Sequence, residues 1–254
     1  MRPARIRDFI MKNVFYKLVM SVFLTCIFAV FSSCDHEFNN TVRGNGNLLT
    51  SERAVSKFEK IATGGSVEVH YYASDEYRVV ITIDENLHEY LDIYTRSNTL
   101  NIGFKRNVSF SRITKFLVEV YCPFLTGVSA DGIIEFEGMD VITTSTFQTN
   151  ISGSGKIYGT IECENFSAKI SGFGEMTITG SSKDARIDIS GSGIFNGEKF
   201  ITKNTTVNID GFGNVYIFVL DNLKANISGS GTLYYWGDPK IDSTISGFGK
   251  IIKK

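Results

Sequence analysis

Carboxylates come first, because two of them converging on one outer face can act as acid and base on a glycosidic bond. In this chain Asp188 and Asp210 occupy patterned positions, each beside an isoleucine, in "RIDIS" and "VNIDG". Asp188 precedes its isoleucine and Asp210 follows its own. The two therefore fall on opposite sides of the isoleucine column and make no tight acid pair. Equivalent places nearby hold Ser, Asn, Lys and Thr, as a solvated face would. His36, His70 and His88 lack the i, i+4 spacing of a helical metal pair. Ser154 lies in "ISGSGKI", whose glycine spacing is wrong for a nucleophile elbow, and no helix signal follows it. No Lys-Ser or Lys-Thr follows the glycines, so they cradle no phosphate, and the aspartates of a calcium-binding β-roll are missing. No C-x-x-C suggests zinc. The reading is a non-enzyme without a catalytic residue, metal site or cofactor.

Residues suited to binding are a little more evident. Tyr234, Tyr235 and Trp236 are consecutive aromatics that include the only tryptophan. They are candidate ligand contacts, by stacking on sugars or as an apolar patch; packing at the end of the fold is the alternative. A row of Asn, Ser and Asp beside the isoleucines offers hydrogen bonds to glycans, or is ordinary surface. Cys34 is a candidate of another kind. It follows the apolar run "LVMSVFLTCIFAVF" and "SS", with Lys12 and Lys17 upstream. That run is too short to cross a bilayer. A basic start, a short apolar stretch and small residues before a cut read as a secretory signal. The cysteine at the cut resembles the lipidated residue of a bacterial lipoprotein, and Asp35 and Glu37 resemble a surface-export tag of Gram-negative cells.

The elements that must position these residues are strands. After Pro123, "ISGSGKI", "ISGFGEM", "ISGSGIF", "IDGFGNV", "ISGSGTL" and "ISGFGKI" recur, with start-to-start spacings of 19, 19, 20, 18 and 18 from Ile151. A degenerate copy, "VSADGII", starts at Val128. Even spacing signals a repeat architecture. Alternating runs such as "ARIDI" and "TTVNI" lead into each isoleucine. Each isoleucine and the residue two before it therefore share the inner face. The residues on either side of each isoleucine, from Asn150 and Ser152 to Thr244 and Ser246, are all polar and point out. One such repeat cannot bury its apolar face alone, but stacked copies can. A Gly-x-Gly in every copy implies a corner needing positive φ or close backbone approach. The residue between the glycines alternates: Ser154, Phe173, Ser192, Phe212, Ser230, Phe248. One repeat per rung would alternate them up one column; two per rung would stack the phenylalanines on one side.

The fold class is thus all-β: a solenoid of about 18–20-residue repeats preceded by a further β-strand region. The expected division is a signal peptide over 1–33, a lipid-anchored tether over 34–57, an N-terminal β region over 58–125 and the solenoid repeats over 126–254. "SVEVHYY", "YRVVITI", "LDIYTR", "TLNIGF" and "FLVEVYC" supply the earlier strands, Ser97 and Asn98 a hairpin turn, and "DENLHEYL" one helical turn. Formal net charge over 254 residues is −1, and the basic residues of the N-terminus leave the remainder acidic. That argues against a nucleic-acid partner. Past the signal only Cys122 and Cys163 remain, too few for a disulfide framework, and their pairing stays open. Lys250, Lys253 and Lys254 suit the guarding of an open edge.

These residues resemble the family known as putative autotransporter adhesin, head GIN domain, over about 42–252. The resemblance rests on "VRGNGN", "FEKI" before "GGSVEVHY", "LVEVYCPFLTGV", the repeated I-S-G-x-G and the closing "YWGDPKIDSTISGFG". It implies a right-handed β-helix on a secreted or surface lipoprotein, with no established activity. The expected function is a non-catalytic envelope lipoprotein with an adhesin-like or ligand-binding β-helix at the outer membrane or cell surface. The lipid anchor would make the membrane one partner, and a glycan or protein at the cell surface another. A carbohydrate-active or glycan-capture protein on a pectate-lyase-like β-helix is the second expectation, a purely structural envelope component the third.

Overall fold

The computed structural model describes residues 41–254, so the expected signal peptide, Cys34 and the start of the expected tether lie outside the described residues. Its framework is the repeat. Strand Ser154–Ile170 pairs in parallel with Phe173–Ile189, which pairs with Ile194–Ile209, then Asn214–Ile227. Each strand pairs with the matching stretch of the next copy, and Ser154 lies directly opposite Phe173. One repeat therefore closes one rung. Serines and phenylalanines alternate within a single column, with rungs about 4.8 Å apart.

The isoleucines explain why the stack holds. Ile151, Ile170, Ile189, Ile209 and Ile227 are buried in one continuous core together with Ala168, Ile187, Val207 and Ala225, the residues two before four of them. Each buried isoleucine contributes about 1.5–3 kcal/mol of apolar burial. The polar residues flanking these isoleucines stay half-buried or exposed, as alternation requires.

The glycines serve close approach, since none of the I-S-G-x-G glycines has positive φ. A methyl on Gly172 or Gly211 would run into the carbonyl oxygen of the glycine one rung earlier, Gly153 or Gly191. The second glycine also faces an isoleucine of the core: a Cβ on Gly213 would stand 2.5 Å from Cγ2 of Ile189.

The solenoid begins earlier than expected. Lys60–Thr63 and Ser66–Ala73, with Gly64 and Gly65 between them, form a complete rung that pairs with Gly127–Ala130 and Ile133–Gly138. Rung register also corrects the degenerate copy: Ala130, not Val128, lies directly opposite Ile151. The expected boundary at 126 follows where glycine becomes frequent, whereas pairing follows the backbone and tolerates Val67 where later copies have glycine. Residues 58–125 mix this rung with a cover. Arg78–Asp84 runs antiparallel to both Leu48–Ala54 and Phe116–Cys122, and Phe116–Cys122 joins Ser66–Ala73; the hairpin Leu91–Arg96 with Thr99–Phe104 joins Lys60–Thr63. Its turn at Ser97 and Asn98 takes positive φ at both residues, which matches the twist of the paired strands. Glu85–Tyr90 is a short 3-10 helix. At the other end, among the described residues, no further strand pairs on the last rung, and Ile245, the last isoleucine of the repeated motif, is 45% exposed.

The expected tether is also corrected over its second half. Thr41–Arg43 pairs with Ser109–Arg112, and Leu48–Ala54 belongs to the antiparallel cover. The turn between them is held by Asp84, a carboxylate with no solvent exposure. Asp84 accepts hydrogen bonds from the Gly46 N–H (2.7 Å), the Thr114 N–H (2.8 Å) and the Thr114 hydroxyl (2.8 Å). A side chain at Gly44 would collide with that carboxylate, which accounts for the glycine of "VRGNGN".

Candidate functional site

The outer polar face is built by register. Asn150, Lys169, Asp188, Asn208 and Asn226 fall in one column, and the strand pairs place each opposite the next. Asn226 donates through Nδ2 to Oδ1 of Asn208 (2.8 Å), and Asn208 donates to Oδ1 of Asp188 (2.6 Å). Arg186 donates through Nε to the other oxygen of Asp188 (2.8 Å). A second ladder runs parallel: Asn222 to Asn204 (2.7 Å) and Asn204 to Asp184 (2.8 Å). Asp210 accepts from the Ser228 hydroxyl (2.7 Å). Each acid thus ends a chain of amides or holds a hydroxyl. None faces another acid as an acid–base pair would. The column borders a shallow groove of about 620 Å3, lined by Lys169, Arg186, Asp188, Asn208, Asp210 and Lys224 among others.

The three consecutive aromatics are not brought together. Tyr235 points into the core and is 8% exposed, so it leaves the set of ligand contacts; strand alternation sends it opposite to its neighbours. Tyr234 and Trp236 are half-buried and point outward. Tyr234 stacks on Tyr216 one rung earlier (centroids 4.7 Å apart, planes at 6°), and the Lys254 ammonium lies 5.0 Å from the Tyr234 ring centroid. With both ring faces in use, Tyr234 offers mainly its edge and hydroxyl. Trp236 pairs in register with Phe218. Tyr216 and Phe218 were missed in the sequence although the 18-residue spacing from "NVYIF" to "TLYYW" aligns them.

The remaining candidates have structural partners. His70 Nε2 lies 2.9 Å from Glu68 and 4.0 Å from Glu137. His88 contacts the Leu49 carbonyl (3.1 Å). Among the described residues no group of three or more His, Cys, Asp or Glu is arranged to hold a metal ion. Cys122 and Cys163 are free. Burial pushes the Cys122 thiol up to about 12, against a smaller opposing effect of its hydrogen bond to the Phe124 carbonyl. Burial also raises the Cys163 thiol. Ser154 is exposed at the corner, with no histidine in its column.

A second groove, of about 690 Å3, follows the Gly-x-Gly corner and is lined by Ile113, Phe116, Ile133, Ser154, Phe173 and Ile194 among others. Ser154, Phe173 and Ser192 of the alternating column line it, and the column continues beyond it to Phe212, Ser230 and Phe248. Phe173, Phe212 and Phe248 are 74%, 73% and 89% exposed.

The register defines a parallel β-solenoid of stacked single-repeat rungs that carries hydrogen-bonded polar ladders on its outer face. The chain belongs to the family described as "putative auto-transporter adhesin, head GIN domain", whose model matches residues 57–239. Among solved structures it is similar to one described as a putative adhesin of Bacteroides fragilis, 19% identical, covering 84% of this chain and 100% of that one (TM-score 0.77). A putative lipid binding protein of Parabacteroides distasonis is 26% identical over 85% of this chain and 100% of its own (TM-score 0.69). A putative adhesin of Parabacteroides merdae is 26% identical over 85% and 99% (TM-score 0.65). No curated protein matches. Among the described residues no helix is long and apolar enough to cross a membrane.

Proposed function

We propose that the chain is a non-catalytic lipoprotein of the cell envelope, anchored through Cys34, that uses the outer face of its solenoid to hold a glycan. The observation that carries this reading is the ladder Asp188–Asn208–Asn226 with Lys169, Arg186 and Lys224 beside it. It is a flat row of fixed donors and acceptors repeating every rung, suited to hydroxyl-rich chains. The family's description as adhesins supports the same direction. Asp184, Asp188 and Asp210 each accept from an amide or a hydroxyl in the ladders, and none of the three is paired with a second acid there as a general acid–base couple requires.

Two experiments separate the parts. Metabolic labelling with a palmitate analogue should mark the full chain and fail for Cys34→Ala; undiminished labelling would remove the anchor. Cells displaying the full chain should bind immobilised glycans, and Arg186→Ala with Lys224→Ala should cut binding by about tenfold. Trp236→Ala should leave it unchanged. Loss with Trp236→Ala alone would move the site to the aromatic end, and binding only to matrix proteins would replace the glycan by a protein ligand.

A further inference from the structure

The alternating column at the corner is what the proposed glycan face leaves unexplained. Three phenylalanines at 73–89% exposure are costly to leave in water, and they stand on every second rung with a serine between. Successive rings are therefore about 9.6 Å apart, two rung spacings. A gap of that width admits one more aromatic ring, leaving neighbouring rings about 4.8 Å apart, within the range that aromatic pairs prefer.

We propose that this ridge is a self-complementary zipper that joins two copies of the chain antiparallel. From Ser154 to Phe248 the column reads Ser, Phe, Ser, Phe, Ser, Phe. Reversed, it reads Phe, Ser, Phe, Ser, Phe, Ser. A two-fold axis across the ridge thus sets every phenylalanine of one copy over a serine of the other, the isologous arrangement that closes a dimer. Phe248 meets Ser154, Phe173 meets Ser230, and Phe212 meets Ser192. The slot over Ser154 already exists. Ile133 and Phe173 form its walls, it belongs to the corner groove, and its predicted occupant Phe248 is the most exposed phenylalanine of the column. The slender glycines beside each serine and phenylalanine let the two ridges approach closely.

The alternation favours this occupant over a lipid surface. A bilayer would accept phenylalanine on every rung, whereas only a second comb needs the gaps. Six interleaved rings at about 150–250 Å2 each bring the buried area to on the order of 1,000 Å2. That is the lower bound of specific interfaces, so the dimer is reversible.

Sedimentation velocity on the full chain in detergent micelles, across the micromolar range, tests it. All variants lie on an exposed ridge, and unchanged far-ultraviolet circular dichroism confirms their folding. The unaltered chain should dimerise. Phe212→Ser should weaken association about tenfold by leaving serine opposite serine. Ser192→Phe should weaken it at least as much, because phenylalanine then meets phenylalanine. The double variant Ser192→Phe with Phe212→Ser reverses both partners of the central pairs and should restore the dimer. A chain monomeric at every concentration overturns the proposal. So does association that rises with the number of phenylalanines, strongest for Ser192→Phe, or that appears only when lipid vesicles are added; both identify a non-specific apolar or membrane-facing ridge.

Discussion

Gly211→Ala should destabilise the chain by about 3 kcal/mol, read as a lower urea midpoint with an unchanged slope. The methyl has no free direction. It would enter the carbonyl oxygen of Gly191, which belongs to the neighbouring rung and already accepts the Phe212 N–H at 3.0 Å. Relief requires the two rungs to part, and parting them strains the adjacent pairs between Ile194–Ile209 and Asn214–Ile227 as well. Because each rung touches only its neighbours, the loss falls on the interface between these two rungs. Gly159 is the contrast: a Cβ there has no atom within 4 Å. Gly159→Ala should be neutral, or stabilising by about 0.5 kcal/mol through the unfolded chain. Equal costs at the two positions would mean that glycine is retained for chain flexibility, contrary to the close-approach reading.

Asp84→Asn carries the second large effect, about 2 kcal/mol. Its carboxylate receives three donors in a site closed to water, and no cation faces it among the hydrogen-bonded partners. An asparagine has one acceptor oxygen, and its amide would point N–H at N–H. At least one donor from Gly46 or Thr114 is then stranded. The pH dependence has a definite sign. Burial pushes the Asp84 carboxyl up, but the hydrogen bonds from Thr114 and Gly46 outweigh it and hold the group below the ordinary carboxylate range. A folded value below the unfolded one gives stability that is present above the ordinary carboxylate value. That stability is lost as pH falls through the folded one. Asp84→Asn should therefore destabilise at neutral pH and flatten the acid limb of the stability curve. An unchanged acid limb would show that another carboxylate controls it.

Much of this architecture was legible in the sequence because solenoids write their geometry as periodicity. Isoleucine at fixed spacing, polar residues on either side and paired glycines determined which face is buried and how the copies stack. The rung count was open until register placed Ser154 opposite Phe173. The rung at Lys60–Ala73 stayed hidden because Val67 replaces the second glycine and the next rung arrives only after the strands of the cover. "VRGNGN" read as tether because its anchor, Asp84, is far away in sequence and nothing local announces a docked turn. The polar ladder was visible as a row of residue types, but which amide donates to which acid was not. Tyr235 was misplaced for a simpler reason. Three adjacent aromatics look like a patch, although alternate residues of a strand face opposite ways.

A binding measurement on the intact protein decides between display and catalysis. The purified full chain should be titrated against immobilised polysaccharides while the supernatant is assayed for released sugar ends. Saturable retention that weakens with Arg186→Ala and Lys224→Ala, with no product released, is the expected result. Release of reducing or unsaturated ends that stops on Asp188→Asn would contradict it and make the polar ladder an active site.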